Sequence, residues 1–242
     1  MQDLRSLTAR VEQQGTLPPG TNERFSGYGV MSLPFSTGHV LGLRRFPVTS
    51  VGPGYTSVWL RTPDGGWTIY TDVPPDLSCP RYFGNGIRST SIHTISLTWT
   101  DEQQCEVRIG DDVDLTWRIW ISARPVTRMM TQMMRLIPNP GWRSAAFLRG
   151  MGAVAGPALG AGKVALTGHT PNHQRFLASP KQIWFVERST AVMHDVDFGS
   201  VQRLSVQDKL GDFWMPQCGI FMIGSAAFDP IDPTLSAPQT AA

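Results

Sequence analysis

Lysine is scarce in this chain. Only Lys163, Lys181 and Lys209 occur among 242 residues, so 18 of the 21 Lys+Arg residues are arginine. A guanidinium stays protonated at neutral pH, which leaves three amines able to form an imine. Cysteine is also sparse. Cys79, Cys105 and Cys218 are odd in number and follow no recurring spacing, which excludes a disulfide framework and a zinc pattern and fits a reducing compartment. No run of about 18 purely apolar residues occurs, so an ordinary membrane-spanning helix is excluded. The start, Met1 to Gln14, carries Asp3, Arg5, Arg10 and Glu12 and lacks the apolar segment of a secretory signal; a cytoplasmic location is expected. A net charge of +2 is too balanced for a dedicated polyanion binder, and nucleic acid is not an expected partner. No P-loop, no GxGxxG after a strand, no HExxH and no GxSxG is found. No cofactor is expected.

What is present is core material. The chain is 41% hydrophobic, with eight Trp and eleven Phe, enough to fold without a disulfide or metal. Residues 1–22 read as an amphipathic lead-in: Leu4, Leu7 and Val11 have helical spacing, and Leu17-Pro18-Pro19-Gly20 ends it. From Phe25 onward the pattern is β-like. His39–Phe46 is a candidate strand. Tyr55–Arg61 and Trp67–Asp72 flank Thr62-Pro63-Asp64-Gly65-Gly66, a strong hairpin turn. Ile92–Thr100, Gln104–Ile109 and Leu115–Ser122 follow, the last two joined by a turn at Gly110-Asp111-Asp112. Alternation puts Leu115, Trp117, Ile119 and Ile121 on one face, and His93, Ile95, Leu97 and Trp99 on another, as in half-buried antiparallel strands.

The period then changes. Met129, Met130, Met133, Met134 and Ile137 form one helical stripe, and Arg128, Gln132 and Arg135 a polar face. Pro138-Asn139-Pro140 breaks it, and a second helix rich in small residues is expected from about Trp142 to Ala155. Strands resume at Lys163–Thr167, Lys181–Glu187, Thr190–His194, about Phe213–Met215 and Gly219–Ala226. The sequence therefore predicts a mostly β fold, an antiparallel β-barrel or sandwich, with a helical hairpin inserted near residues 126–157. Residues 23–228 form one β domain after the lead-in, and 229–242 a disordered tail.

Candidate chemistry is dispersed. Met is adaptable, so the Met stripe suits a lid over an apolar cavity or a partner-binding face; an apolar helix stripe is ordinarily core. The loop Ser78–Gly84 puts Cys79, Arg81 and Tyr82 together. Arg81 could anchor a carboxylate and Tyr82 donate a proton, against the plainer reading of a Pro/Gly loop holding a buried aromatic. His39 and His93 sit on apolar faces, where a histidine is more often a satisfied core residue than an acid or base. Asp72, at a strand end before Pro74-Pro75, is either a proton carrier or a cap for the turn. His169 and His173 have a spacing that chelates on a helix, but Pro171 argues for a turn and no third ligand is evident; no metal is expected. A strand would put His194 opposite both Asp195 and Asp197, which removes a dyad there.

The stretches "SVWLRTPDGGWTIYT", "ISLTWTDEQQCEVRI" and "ALTGHTPNHQRFLASPKQIWFVE" resemble the lipocalin-like family of carotenoid 1,2-hydratases, over about half of the chain. That resemblance implies a calycin-like barrel around an apolar, terpenoid-like molecule. The Trp- and Asp-rich motif that follows in the family has no match, and no catalytic residue is carried over. The length and order of elements are also similar to the acetoacetate decarboxylase-like β-cone proteins. That family's Schiff-base lysine belongs just after the stretch corresponding to Cys79–Gly84, where this chain has no lysine.

The function expected is binding of a small hydrophobic, terpenoid- or lipid-like molecule in a barrel cavity. Trp59, Met129, Met133 and Phe147 are the expected ligand-binding residues, and His39, Asp72, Arg81 and Tyr82 the candidates for acid–base hydration, isomerisation or cyclisation. The alternative is a non-enzymatic module whose Met-rich hairpin binds a partner or, less favoured, a membrane surface. The oligomeric state is not fixed by the sequence.

Overall fold

A computed structural model describes residues 3–110 and 112–231. Asp111, in the expected turn, and residues 232–242 of the expected tail lie outside the described residues. The lead-in is a helix, α1 (Leu4–Gln14), whose N-cap Asp3 accepts the Ser6 amide at 2.6 Å. The strands that follow are β1 (Glu23–Val30), β2 (Leu33–Pro34), β3 (Val40–Thr49), β4 (Tyr55–Arg61) and β5 (Trp67–Thr71), then a short helix α2 (Pro80–Phe83), and β6 (Ser89–Ile92), β7 (Ile95–Asp101), β8 (Gln104–Ile109) and β9 (Leu115–Ser122). Two helices, α3 (Pro125–Arg135) and α4 (Ala145–Ala158), precede β10 (Thr167–His169), β11 (Arg175–Met193), β12 (Val196–Asp197), β13 (Lys209–Leu210), β14 (Phe213–Trp214) and β15 (Ile220–Phe228).

The main sheet runs β6-β5-β4-β3-β1-β15-β11-β9-β8-β7 and curls into a half-barrel. Among the described residues its pairings are antiparallel except β5 with β6. The hairpin at 62–66 forms as the turn residues demand: Gly65 takes φ 91°, Thr62 N–H donates to Gly66 O, and Gly65 N–H to Thr62 O. The mostly β fold with a helical pair between β9 and β11 is as the sequence predicts.

Several strand boundaries differ. The expected strand Ile92–Thr100 starts at Ile95, and Ile92 instead ends β6, which pairs with β5. Lys181–Glu187 and Thr190–Met193 are parts of one 19-residue strand, because Arg188 and Ser189 pair with Trp120 and Ile119 and keep the ladder going, while His194, expected to end the second strand, falls in the turn that follows at φ 47°. β11 pairs first with β15 and then with β9, with register shifts at Pro180/Gln182 and Val186/Arg188 that bend it. The expected strand at Lys163–Thr167 forms only from Thr167. Upstream, the Gln207 side chain takes the place of a neighbouring strand: its Oε1 accepts Lys163 N–H at 2.8 Å and its Nε2 donates to Lys163 O at 2.8 Å.

Three apolar clusters stabilise this frame. The inner face of the curl is filled by side chains from both halves, among them Val30, Leu41, Leu43, Val107, Trp117, Ile119 and Phe221. α1 closes it by adding Leu4, Leu7 and Val11. The helix is fixed there by Glu12, which accepts from Arg45 Nε (2.9 Å), Arg45 Nη2 (2.8 Å) and the Tyr28 hydroxyl (2.8 Å). The outer face carries two separate clusters. One joins Phe25, Tyr55, Trp59 and Trp67 to Tyr82, Phe83 and Met215; the other joins Ile183, Phe185 and Ile220 to Met134, Trp142 and Leu148 of the helical region. The expectation of a ligand cavity inside the barrel is corrected by this packing: the inner face is core, and the cavities described below lie on the outer face. No helix among the described residues is long and apolar enough to cross a membrane.

Candidate functional site

The site begins with α3. Pro125 at its first turn presets helical φ, and the Met stripe then divides. Met134 is buried against the sheet, with Met130 and Ile137 packed beside it. Met129 and Met133 are 56% and 60% exposed. α4 starts where Ser144 Oγ accepts the Phe147 amide, and its small residues have a specific use. A Cβ on Gly152 would lie 2.6 Å from Val164 O, and one on Gly156 2.2 Å from Gly162 O. The glycines therefore let the 162–164 segment press against the helix.

Between α3, α4 and the sheet lies an apolar cleft of about 770 Å³. Met129, Met133, Phe147 and Val154 line it from the helices, and Met31, Ile183 and Met222 from below. Seven of the ten methionines of the chain border it: Met31, Met129, Met130, Met133, Met134, Met151 and Met222.

A second, smaller pocket of about 70 Å³ adjoins it, sharing Met31, Ala178, Phe213 and Met222. It sits where two bulges meet. β1 shifts register against β3 between Ser26 and Tyr28, β11 shifts against β15 at Pro180/Gln182, and Gly27 pairs with Gly224 between them. A Cβ on Gly224 would lie 2.3 Å from Ser179 O, so the backbones approach too closely for a side chain. This pocket is lined by Arg44, Tyr55, Trp59, Cys79 and Tyr82.

Arg44 is 5% exposed. Its Nη1 donates to the carbonyls of Val30 and Leu43 (the latter 3.0 Å), and Nη2 to Met31 O at 2.9 Å. The guanidinium carbon stands 4.9 Å from the Trp59 ring centroid. Burial pulls Arg44 down to about 10, while Cys79 and Tyr55 act in the other direction. Alongside runs a polar chain: Trp59 Nε1 donates to Ser57 Oγ (3.3 Å), Ser57 Oγ to Cys79 Sγ (3.4 Å), and the Tyr55 hydroxyl lies 3.3 Å from the same sulfur. Burial, with Cys79 beside it, raises Tyr55 well above the ordinary phenol range.

Trp59 lines this inner pocket, and Met129, Met133 and Phe147 line the cleft. The four acid–base candidates are placed differently. Arg81 holds Glu23 through both Nε (2.9 Å) and Nη2, and the Tyr82 hydroxyl donates to the same carboxylate. Burial works against the Glu23 charge, but these donors outweigh it and hold the carboxyl below its ordinary range. Burial and Glu23 together push the Tyr82 phenol up. Asp72 accepts the Thr56 amide at 2.7 Å at the end of the β4–β5 hairpin. His39 stacks on Phe198 with ring centroids 3.9 Å apart and lies 2.8 Å from Thr37 Oγ1; burial lowers it. Of these four, Tyr82 borders the inner pocket.

His169 ends β10, paired with Arg175, and His173 lies in the following turn at φ 71°, so the two do not share a helix face. Among the described residues no group of three or more His, Cys, Asp or Glu could hold a metal ion. The residue that sequence reasoning passed over is Arg44. Its signal was there: it alternates with Val40, Gly42 and Phe46 on a strand whose other face carries Leu41 and Leu43.

No family model matches the chain, and no curated protein does, so the hydratase-like texture finds no counterpart there. A solved structure of acetoacetate decarboxylase from Legionella pneumophila subsp. pneumophila str. Philadelphia 1 is similar at a TM-score of 0.38 and 12% identity, over 89% of this chain and 87% of that chain. An overlap this loose assigns nothing to this chain.

Proposed function

We propose that this protein binds a small apolar molecule in the cleft between α3 and α4. The observation that carries the reading is the gathering of seven methionines around one cleft of about 770 Å³. That volume lies within the range of small-molecule sites, and unbranched thioethers adapt to apolar ligands of varied shape. His39 and Asp72 stand outside the lining of both pockets, so binding is supported before turnover.

The test is a fluorescence titration with the neutral dye N-phenyl-1-naphthylamine, displaced by 1-dodecanol. Saturable binding at one site is expected. Met133→Glu and Val154→Glu put a carboxylate in the apolar lining and are each expected to weaken binding by about tenfold or more. Absence of saturable binding, or wild-type affinity in both variants, refutes the reading.

The alternative, a hairpin that docks on a partner, is favoured by Leu136, which is 84% exposed and lies outside the cleft lining. Leu136→Glu leaves dye binding unchanged if the cleft is the site.

A further inference from the structure

Arg44 is a buried cation with no carboxylate within ion-pair reach among the described residues. Arg45 on β3, Arg61 on β4 and Arg81 on α2 each hold one: Glu12, Asp208 and Glu23. A guanidinium has five N–H donors. Three are met by the carbonyls of Val30, Leu43 and Met31, leaving Nε–H and one N–H of Nη2 without an acceptor among the described residues. Arg45 and Arg81 use that same Nε/Nη2 edge to grip their carboxylates. Burying a charge without a counter-charge is costly, and here the charge borders a pocket that shares Met31, Ala178, Phe213 and Met222 with the apolar cleft.

We infer that Arg44 receives the carboxylate of an amphipathic ligand whose apolar tail lies in the α3–α4 cleft. The inference rests on the cleft being a binding site, and it adds the chemical class: a monocarboxylate with an extended hydrocarbon tail. One planar anion matches the free edge of one guanidinium. An inner pocket of about 70 Å³ takes a head of a few atoms. A dianionic head would bring in a second charge, and among the described residues lining the inner pocket Arg44 is the one cation. Met31 and Met222 stand between the two spaces, and their flexible side chains provide the passage.

Calorimetry with dodecanoate, 1-dodecanol and dodecyl phosphate at pH 8 tests this. Dodecanoate is expected to bind tenfold to a hundredfold more tightly than dodecanol, the order given by charge-assisted hydrogen bonds. Arg44→Gln is expected to remove that preference while leaving dodecanol affinity unchanged, with Arg44→Lys between. Equal binding of dodecanoate and dodecanol, or tighter binding of the phosphate, overturns the carboxylate assignment and leaves the cleft standing. Failure of all three to bind overturns both.

Arg44 also bonds three backbone carbonyls, so a wild-type measurement accompanies the variants. The carboxyl carbon of bound ¹³C-dodecanoate is followed by NMR against pH. It is expected to titrate below the free acid; titration at or above the free value refutes the contact.

Discussion

Glu23 offers a sharp test of whether Arg81 is held by the fold or is free to hold a ligand. Its carboxylate accepts two bonds from Arg81 and one from Tyr82, and the ion-pair side chains are 15% and 23% exposed. Glu23→Gln keeps the shape but removes the charge. Surface pairs contribute about 0–1 kcal/mol and fully buried ones cost about 3–5 kcal/mol when broken. A pair at this intermediate depth is expected to lose about 2 kcal/mol. For a chain of this length that is about 4–8 °C in Tm. Because the folded Glu23 carboxyl lies below its unfolded value, its stabilisation is present above the unfolded carboxylate pKa of about 4.3 and is lost as pH falls through the lower folded value. Urea denaturation from pH 7 downward should therefore show wild type and Glu23→Gln converging in acid. A double-mutant cycle with Arg81→Met should give a coupling of about 1–2 kcal/mol. A Glu23→Gln protein within 0.5 kcal/mol of wild type, with no coupling and no pH dependence of the difference, would refute the reasoning and release Arg81 for another role.

Two further outcomes follow from the same packing. Trp117 Nε1 donates to Ser189 Oγ at 2.8 Å, and that hydroxyl donates to Arg118 O at 2.7 Å. Ser189→Ala strands a fully buried indole N–H and is expected to cost about 2 kcal/mol in urea denaturation; an unchanged midpoint would contradict the inner-core account. Gly224→Ala sets a methyl 2.3 Å from Ser179 O at the paired bulges. It is expected to cost about 1–3 kcal/mol and to weaken dye binding, and a stable variant with full binding would show that the bulge does not shape the pocket.

Local chemistry made much of the fold legible. Asp64-Gly65-Gly66 states its turn, Leu115 to Ile121 declare which face is inward, and the Met stripe announces a helix with an apolar side. Legibility ends where a residue's state is set by a distant cover. Arg81 meets Glu23 58 positions away, and Arg61 meets Asp208 147 positions away. Neither pairing has a local signature. The Met stripe shows the same limit: periodicity groups Met129, Met130, Met133 and Met134 together, but the seat of α3 on β11 decides that Met134 is buried, Met130 half-buried, and Met129 and Met133 exposed, although all four border the cleft.

Arg44 is the strongest instance. On strand β3, Leu41 and Leu43 point into the filled curl, which places Arg44 on the outer face, where a charged residue normally meets water. Arg44 is 5% exposed because Phe213, about 170 residues later, lines the same pocket with its ring centroid 5.9 Å from the guanidinium carbon, and the Trp59 ring lies 4.9 Å from it. Three backbone carbonyls satisfy part of the guanidinium and none of its charge. A fold that needed only an apolar wall here would be served by leucine or methionine, at no desolvation cost. The buried cation is therefore the feature of the pocket that packing alone does not require, and a carboxylate-bearing ligand gives it a partner.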